Sequence, residues 1–150
     1  MAPRLGAGAW IGAISGEAMA ILIDADVIIQ AERKALDLDA WLRSHPDEEI
    51  KLAAITVAEL WRSVEHATGV HRARRQKFLL RALPVFDVVP YTQKAAAEHA
   101  RLWADIDATG QRMNPHDLML AAMARESGSV IVTFNTRRFA AVPGLTVMKP

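Results

Sequence analysis

The sequence predicts an α/β fold in which helices cover both faces of a parallel sheet. Short apolar runs rich in β-branched residues alternate with segments of helical periodicity, and this alternation is typical of such sheets. The run Ile21 to Ile23 has the composition of a strand buried on both faces. No internal repeat, low-complexity tract or linker interrupts the chain after residue 20. The predicted strands cover residues 21–23, 50–55, 85–89, 130–133 and 145–148.

Helix signals lie between these strands. Thr92 is expected to cap a long helix that Gly110 ends, and Asn114-Pro115 opens the next helix with proline in its favoured first position. The predicted helices cover residues 27–34, 35–44, 56–68, 71–83, 93–109 and 115–127. The inward face of the long helix is expected to include Ala96, His99 or Ala100, Trp103 and Ile106.

The composition is that of an ordinary globular domain. The 150 residues are 51% hydrophobic and 23% charged, and the net charge of +1 neither requires nor excludes a nucleic-acid partner. The chain has no cysteine, which excludes disulfides, zinc ribbons and thiol catalysis and agrees with a reducing compartment. No apolar run is long enough to span a bilayer. A cytoplasmic location without a membrane partner is therefore expected.

Residues 1–18 are predicted to be a loosely ordered upstream extension, and residues 20–150 the folded domain. The N-terminal stretch weakly resembles a signal peptide with an A-x-A site at 18–20. However, its apolar part contains Gly6, Gly8 and Gly12, which suit the helical segment of a signal peptide poorly. A native start at Met19 explains the same residues more simply.

Three acids lie near junctions between a predicted strand and a helix: Asp24, Glu59 and Asp117. Ligands of open α/β sheets bind beyond the carboxyl ends of the strands, so these positions suit chemistry. Each acid also has a structural explanation. Asp24 ends a strand, Thr56-Val57-Ala58-Glu59 matches a capping box, and Asp117 would be favoured by the dipole of its helix.

Four segments, taken in order, resemble the signature segments of PIN-domain ribonucleases, in particular the VapC-type toxins of bacterial toxin–antitoxin pairs. They are ILIDADVII, AAITVAELW, MNPHDLMLAAMA and VTFNTRRFAAVPGLTV. One segment alone is a weak signal, but four in this order and spacing are specific, and they span about residues 20–148. The resemblance implies a PIN-like three-layer α/β/α sandwich with a central, mostly parallel, roughly five-stranded sheet.

The resemblance also implies the site residues. The family's acids fall on Asp24, Glu59 and Asp117, and its T-x-D/N pair falls on Thr133 and Asn135. Relatives often have Asp where this chain has Asn135, which can orient a water but supplies no charge. Thr133 and Asn135 are therefore expected to position water or the metal ligands.

Asp26 has two open interpretations. It could restore the missing carboxylate as a fourth metal ligand, or it could only cap the helix that follows the first strand.

The activity implied by the resemblance is metal-dependent endoribonuclease cleavage by the toxin of a toxin–antitoxin pair. Hydrolysis of a phosphodiester must neutralise the phosphate and generate a hydroxide near neutral pH, and Mg²⁺ or Mn²⁺ held by carboxylates does both. Clustered carboxylates repel one another without a cation and therefore favour binding one. The expected products carry a 5′-phosphate and a 3′-hydroxyl.

Basic side chains near the acids are candidates for contacts with RNA phosphates. Arg137 and Arg138 follow Asn135, while Arg112 and His116 flank Asp117. A second basic group either contacts RNA or forms a solvated helix face. It consists of Arg62, Arg72, Arg74, Arg75, Lys77 and Arg81.

Two alternative functions remain open at this point. A haloacid-dehalogenase-like phosphatase also begins with a strand that ends in D-x-D, with Asp24 as nucleophile. However, Ile28 stands where that family has Thr or Val, and no acidic pair follows the fourth strand. A non-catalytic PIN-like module that binds RNA or a partner would be expected to lose the metal acids, which this chain retains.

The resemblance implies three partners: an RNA substrate, with tRNA or rRNA expected, a VapB-type antitoxin, and a second copy of the chain. The helices over residues 56–83 carry more apolar side chains than so small a domain is expected to bury, which favours an interface. These side chains are Val57, Leu60, Trp61, Val64, Phe78 and Leu79. The alternative is that Trp61 and Phe78 pack inside one subunit.

Overall fold

A computed structural model of the protein describes residues 20–150. The predicted extension at residues 1–18 lies outside the described residues. The strands are β1 (Ala20–Ile23), β2 (Glu49–Ala53), β3 (Asp87–Val89), β4 (Val130–Val132) and β5 (Val147–Met148). The α-helices are α1 (Ala25–Glu32), α2 (Leu38–Arg43), α3 (Ala54–Glu65), α4 (Gly69–Ala82), α5 (Gln93–Ala108) and α6 (Pro115–Ser127). Two short 3₁₀ helices span Leu83–Val85 and Thr136–Phe139.

The five strands form one parallel sheet in the order β3-β2-β1-β4-β5. The chain first builds the sheet outwards from β1 to β3 and then returns to the other side of β1 to add β4 and β5. The strand order therefore changes direction between β1 and β4, and such switch points open a crevice at the carboxyl ends of the strands. The predicted parallel α/β sandwich is confirmed.

Two cores lie on opposite faces of the sheet, and β1 contributes to both. Leu22 packs with residues of α5 and α6, whereas Ile21 and Ile23 pack with residues of α1, α3 and α4. All three side chains are almost fully buried. Because side chains alternate along a strand, a strand covered on both faces must be apolar throughout, as this run is.

The caps of the two later helices are as predicted. The side chain of Thr92 accepts a hydrogen bond from the Ala95 N–H, and Asn114 accepts one from the His116 N–H. Gly110 has a φ of 70°, a left-handed conformation in which glycine avoids the strain of a side chain.

The predicted inward face of α5 is confirmed at Ile106 and wrong at Trp103. The buried residues are Ala95, Leu102 and Ile106, whereas Trp103 is 56% exposed. The aromatic ring of Trp103 instead stacks on His99, with ring centroids 5.6 Å apart. Helical periodicity alone allowed both phases. The Leu102 side chain has no polar atom, whereas a buried indole needs a hydrogen-bond partner for its N–H.

Most of the apolar surplus on α3 and α4 is absorbed by the domain itself. Leu60, Val64 and Leu79 are buried, and Trp61 and Phe78 are partly buried and packed against the same core. These side chains therefore do not by themselves indicate an interface. No helix among residues 20–150 is both long and apolar enough to cross a membrane.

Candidate active site

Asp24 lies at the centre of the site because of the register between β1 and β4. Ile23 pairs with Val132, so the next residues, Asp24 and Thr133, lie side by side where the two strands end. Asp24 is fully buried, and its Oδ1 accepts a hydrogen bond from the Ala25 N–H at 2.8 Å, which caps α1. Its Oδ2 lies 2.9 Å from the Thr133 hydroxyl. Strand pairing and helix capping together fix this carboxylate.

Asp26 does not cap the helix, so that interpretation is wrong. The N-cap residue is Asp24, and α1 begins earlier than predicted. Oδ2 of Asp26 instead lies 2.9 Å from Oγ1 of Thr133 and accepts a hydrogen bond from the Phe134 N–H at 3.1 Å. The single hydroxyl proton of Thr133 can serve only one of the two aspartates at a time. Oδ1 of Asp26 is buried and has no hydrogen-bond partner among residues 20–150.

Asp117 is placed by the start of α6. Asn114 caps this helix, Pro115 follows at the first position, and Asp117 lies in the first turn, as predicted. The residue is 6% exposed. The Arg138 guanidinium donates to both carboxylate oxygens, through Nε to Oδ2 at 3.0 Å and through the second terminal nitrogen to Oδ1. This two-pronged contact fixes the orientation of the carboxylate.

Glu59 reaches the site from the second turn of α3, and the predicted capping box is wrong. The helix begins at Ala54 directly after β2, so Thr56 is already inside it. Thr56 is buried, and its hydroxyl oxygen has no hydrogen-bond partner among the described residues. Glu59 is therefore free to face the site, where its Oε1 lies 3.3 Å from Nδ1 of His116.

Burial and the charges of neighbouring side chains shift the pKa values of two of these carboxylates, Glu59 and Asp24. Burial raises the pKa of Glu59, and the charges of Asp24 and Asp117 add to the rise, while His116 and Arg138 oppose it. Burial likewise raises the pKa of Asp24, against the lowering effect of Arg138. Hydrogen bonding to Asp117 is the main cause of the raised pKa of Arg138. The charges of Asp24 and Asp117 therefore both act on Glu59, and Arg138 joins Asp24 to Asp117.

Arg138 was expected to contact RNA, but its guanidinium is directed at the acids. Besides Asp117, it donates to Oδ2 of Asp24 at 2.8 Å. The side chain is 30% exposed and also lies over the Phe139 ring, 5.4 Å from the centroid. Sequence analysis predicted neither this ion pair nor the Glu59–His116 contact. The available signal was only that Arg138 and His116 each lie within a signature segment, close to Asn135 and Asp117 respectively.

The remaining predicted residues surround the acids. The Asn135 N–H donates to the Thr133 hydroxyl at 3.1 Å, while the residue itself is exposed. Arg112 and Arg137 are exposed and line, together with Asp117 and Arg138, a groove of about 640 Å³.

Part of the second basic group is engaged elsewhere. Arg72 pairs with Glu65, and Arg75 pairs with Glu32. The group is therefore at least partly a structural feature of α4 rather than a free surface for RNA.

The donor atoms suit a hard divalent cation, which prefers carboxylate oxygens. The unpartnered, buried Oδ1 of Asp26 is an observation that points the same way. Among residues 20–150, no group of three or more acidic or histidine side chains is arranged so that it could hold a metal ion. The Arg138 guanidinium bonds to both Asp24 and Asp117 and supplies the positive charge there.

Residues 21–145 match the PIN-domain family over most of the chain. The chain belongs to the PIN-domain family. It is 30% identical over 98 residues to the tRNA(fMet)-specific endonuclease VapC of Salmonella typhimurium, covering 64% of this chain and 71% of that protein. It is also 31% identical over 137 residues to the plasmid stability protein StbB of Pseudomonas syringae pv. tomato, covering 87% and 97%.

Solved structures agree on the fold. VapBC2 from Rickettsia felis, crystallised with a promoter DNA fragment, superposes with a TM-score of 0.80 at 19% identity, covering 88% of this chain and 99% of that chain. The prediction of a VapC-type PIN-domain ribonuclease is confirmed, and such nucleases are metal-dependent. This family match disfavours the phosphatase alternative.

Proposed function

We propose that this PIN domain hydrolyses RNA with Mg²⁺ or Mn²⁺ held by Asp24, Glu59 and Asp117, with Asp26 as a further ligand. The observation that supports this most is the electrostatic coupling of the three acids across separate elements of the fold. The charges of Asp24 and Asp117 both raise the pKa of Glu59, and the Arg138 guanidinium bonds to Asp24 and to Asp117. Buried acids that interact in this way favour a cation among them.

Each neighbouring residue has a distinct task in this proposal. A bound divalent ion would neutralise phosphate charge and lower the pKa of a coordinated water. The Thr133 hydroxyl would hold either the Asp24 or the Asp26 carboxylate in place, one at a time. Asn135, whose N–H donates to the same hydroxyl, would orient a water.

Phosphate contacts are assigned to the basic residues of the groove. Arg112 and Arg137 line it and would bind the RNA backbone through charge, independently of sequence. His116, beside Glu59, is positioned at the edge of the same site.

The substrate class and the partners are also proposals. The Salmonella relative is named for tRNA(fMet), so tRNA is the first candidate substrate and rRNA the second. The solved neighbours are VapBC complexes, which supports a VapB-type antitoxin as partner. We further propose a cytoplasmic location.

A homodimer is proposed on the evidence of exposed apolar surface. Trp103 is 56% exposed and Val88, on the edge strand β3, is 48% exposed. Exposed apolar side chains mark an interface when they form one contiguous patch, so the proposal requires that these two belong to such a patch. Light scattering of the isolated protein at micromolar concentration should give the mass of two chains. A mass of one chain would exclude the dimer.

The decisive experiment is cleavage of tRNA and rRNA by the purified chain with Mg²⁺, with Mn²⁺ and with EDTA. We expect cleavage only with a divalent ion, and products that carry a 5′-phosphate and a 3′-hydroxyl. RNA binding without cleavage under all three conditions would instead indicate a non-catalytic module. Release of phosphate from p-nitrophenyl phosphate, without RNA cleavage, would indicate a phosphatase.

A further inference from the structure

Arg138 lies where the proposed function requires a metal ion. Its guanidinium donates three hydrogen bonds to the two most buried acids, one to Asp24 and two to Asp117. These acids are 114 and 21 residues away in sequence, so the contact is a tertiary feature of the fold.

We propose that Arg138 is a built-in counter-ion that neutralises the acid cluster in the metal-free protein and must move away before a divalent cation binds. The inference rests on the proposed metal site. It adds that this chain carries its own competitor for that site, in the form of an arginine three residues beyond Asn135.

The first argument is charge. Asp24 is fully buried and Asp117 nearly so, and an ionised carboxylate in such a position is strongly destabilising unless it is paired. Arg138 is the cation that pairs with both. Removing it from the metal-free protein would leave the acids, with Glu59 and Asp26 nearby, to repel one another.

The second argument is that the guanidinium and a metal need the same oxygens. Both oxygens of Asp117 and Oδ2 of Asp24 accept hydrogen bonds from Arg138, while Oδ1 of Asp24 caps α1. Oδ1 of Asp26, in contrast, is buried and has no hydrogen-bond partner among residues 20–150. A metal ion cannot be coordinated by these carboxylates while the guanidinium is bonded to them. The positive charges of the metal and the guanidinium would also repel each other if both contacted the same carboxylates.

The third argument is that Arg138 can leave. Its backbone belongs to the short 3₁₀ helix Thr136–Phe139, and its side chain is 30% exposed at the groove that Arg112 and Arg137 also line. The acids themselves sit on a strand end and a capped helix start and are held more firmly. Displacement would therefore move the guanidinium into the groove, towards the path proposed for RNA phosphates.

A population argument gives the size of the effect. If the conformation with Arg138 displaced is a minor state of about 10% or less, the apparent affinity for metal is reduced by about tenfold or more. Removing the guanidinium should therefore raise the apparent affinity for metal by the same factor of about tenfold or more.

The test is a titration of the metal-free full-length protein with Mn²⁺, with free Mn²⁺ measured by electron paramagnetic resonance. Arg138→Ala should bind Mn²⁺ about tenfold more tightly than the unsubstituted protein or better. Arg137→Ala is the matched control. It removes the same positive charge at the neighbouring position, where the arginine side chain is exposed. It should change the affinity by less than about twofold, as expected for a screened surface charge.

A second variant guards against a folding failure. Arg138→Gln keeps much of the length and a hydrogen-bond donor but removes the charge, and it should change Mn²⁺ affinity in the same direction as Arg138→Ala. For both variants, Mn²⁺ should raise the thermal unfolding midpoint more than it does for the unsubstituted protein, because the metal replaces a missing counter-ion.

The outcomes separate this inference from the proposed function. Equal or weaker Mn²⁺ binding by the folded Arg138 variants would overturn the counter-ion role, even if the unsubstituted protein cleaves RNA with metal. An increase equal to that of Arg137→Ala would also overturn it, since a general charge effect would then suffice. Tighter Mn²⁺ binding by the Arg138 variants, without any RNA cleavage by the unsubstituted protein, would support the counter-ion role and refute the proposed RNA hydrolysis. Failure of every variant to bind Mn²⁺ at millimolar concentration would refute both.

Discussion

Helices α6 and α3 each bring one acid to the same site, but they hold it differently. Asp117 lies in the first turn of a helix capped by Asn114, is 6% exposed, and receives two hydrogen bonds from Arg138. Glu59 lies in the second turn of a helix whose N-cap residue is alanine, and its side chain is 23% exposed. Its contact within the site is with His116, at 3.3 Å.

This difference suggests that the two acids are not equivalent. Asp117 is fixed by a helix start, whose dipole favours a negative charge, and by a planar two-pronged partner. Glu59 has one longer contact to a half-exposed imidazole, and burial together with neighbouring charge raises its pKa. We therefore expect Asp117 to be a rigid ligand and Glu59 to be an adjustable one that completes the site.

The largest expected effect is that of Asp117→Asn. The amide keeps the shape of the side chain but loses the charge that holds a cation, so metal-dependent RNA cleavage should fall by more than about 100-fold. That loss would exceed the ~10–100-fold typical of residues that only support a ligand. Initial rates of RNA cleavage at several Mn²⁺ concentrations measure it.

Asp24→Asn provides a matched comparison, since asparagine can still cap α1 through its side-chain oxygen. It should lose activity to the same extent, with an unchanged circular dichroism spectrum. Full activity of either variant at saturating Mg²⁺ would remove that residue from the metal site.

Glu59→Gln should have a smaller effect, a loss of about 10- to 100-fold in cleavage rate, as expected for a group that adjusts rather than anchors the metal. High Mn²⁺ should recover part of the loss, because the remaining ligands still bind the ion. The rate measured from low to high Mn²⁺ tests this. If Glu59→Gln were as damaging as Asp117→Asn at every Mn²⁺ concentration, the distinction between the two acids would be wrong.

The same pair of residues shows what could be predicted from the sequence. Asp117 was placed correctly because Asn114-Pro115 is a local signal that fixes where α6 begins. Glu59 was misplaced because its segment matches a capping box, whereas β2 ends at Ala53 and α3 follows without a loop. A match to a capping pattern cannot show that the strand stops earlier, since that depends on pairing with β1 and β3.

Tertiary contacts mark the limit of sequence reasoning in both the fold and the site. The parallel sheet was predictable because apolar runs and helical periodicity are local properties. The phase of α5 was not, because Leu102 and Trp103 are both apolar and only packing decides between them. Arg138 was assigned to RNA because nothing local indicates a partner 114 residues away.

A change at Asn135 tests whether the site accepts a further carboxylate next to the rigid ligands. Asn135→Asp should raise Mn²⁺ affinity by up to about tenfold, equivalent to ~1.4 kcal/mol, if the position is a ligand weakened by its amide. Calorimetric titration with Mn²⁺ measures the change. An unchanged affinity would mean that Asn135 acts only through water or through its backbone bond to Thr133.

The smallest expected effect concerns His116, whose positive charge lowers the pKa of Glu59 against the burial that raises it. His116→Ala should therefore raise the pKa of Glu59 further above its ordinary value of 4.5. Carboxyl carbon NMR shifts of the metal-free protein, followed from acid to neutral pH, measure the change directly. His71→Ala, which removes an exposed imidazole from α4, should leave this pKa unaltered.

The free energy of unfolding should depend on pH in the direction that the raised pKa of Glu59 predicts. An acid whose folded-state pKa is raised binds its proton more tightly when folded, so its contribution to the free energy of unfolding decreases as pH rises from 4.5 through the raised pKa. In His116→Ala this decrease should extend to higher pH and become larger, because the imidazolium no longer compensates the Glu59 charge. Urea unfolding of both proteins across this pH range tests it. If the two stability curves run parallel, the 3.3 Å contact between Glu59 and His116 contributes no ionic stabilisation, and Glu59 is held by packing of α3 alone.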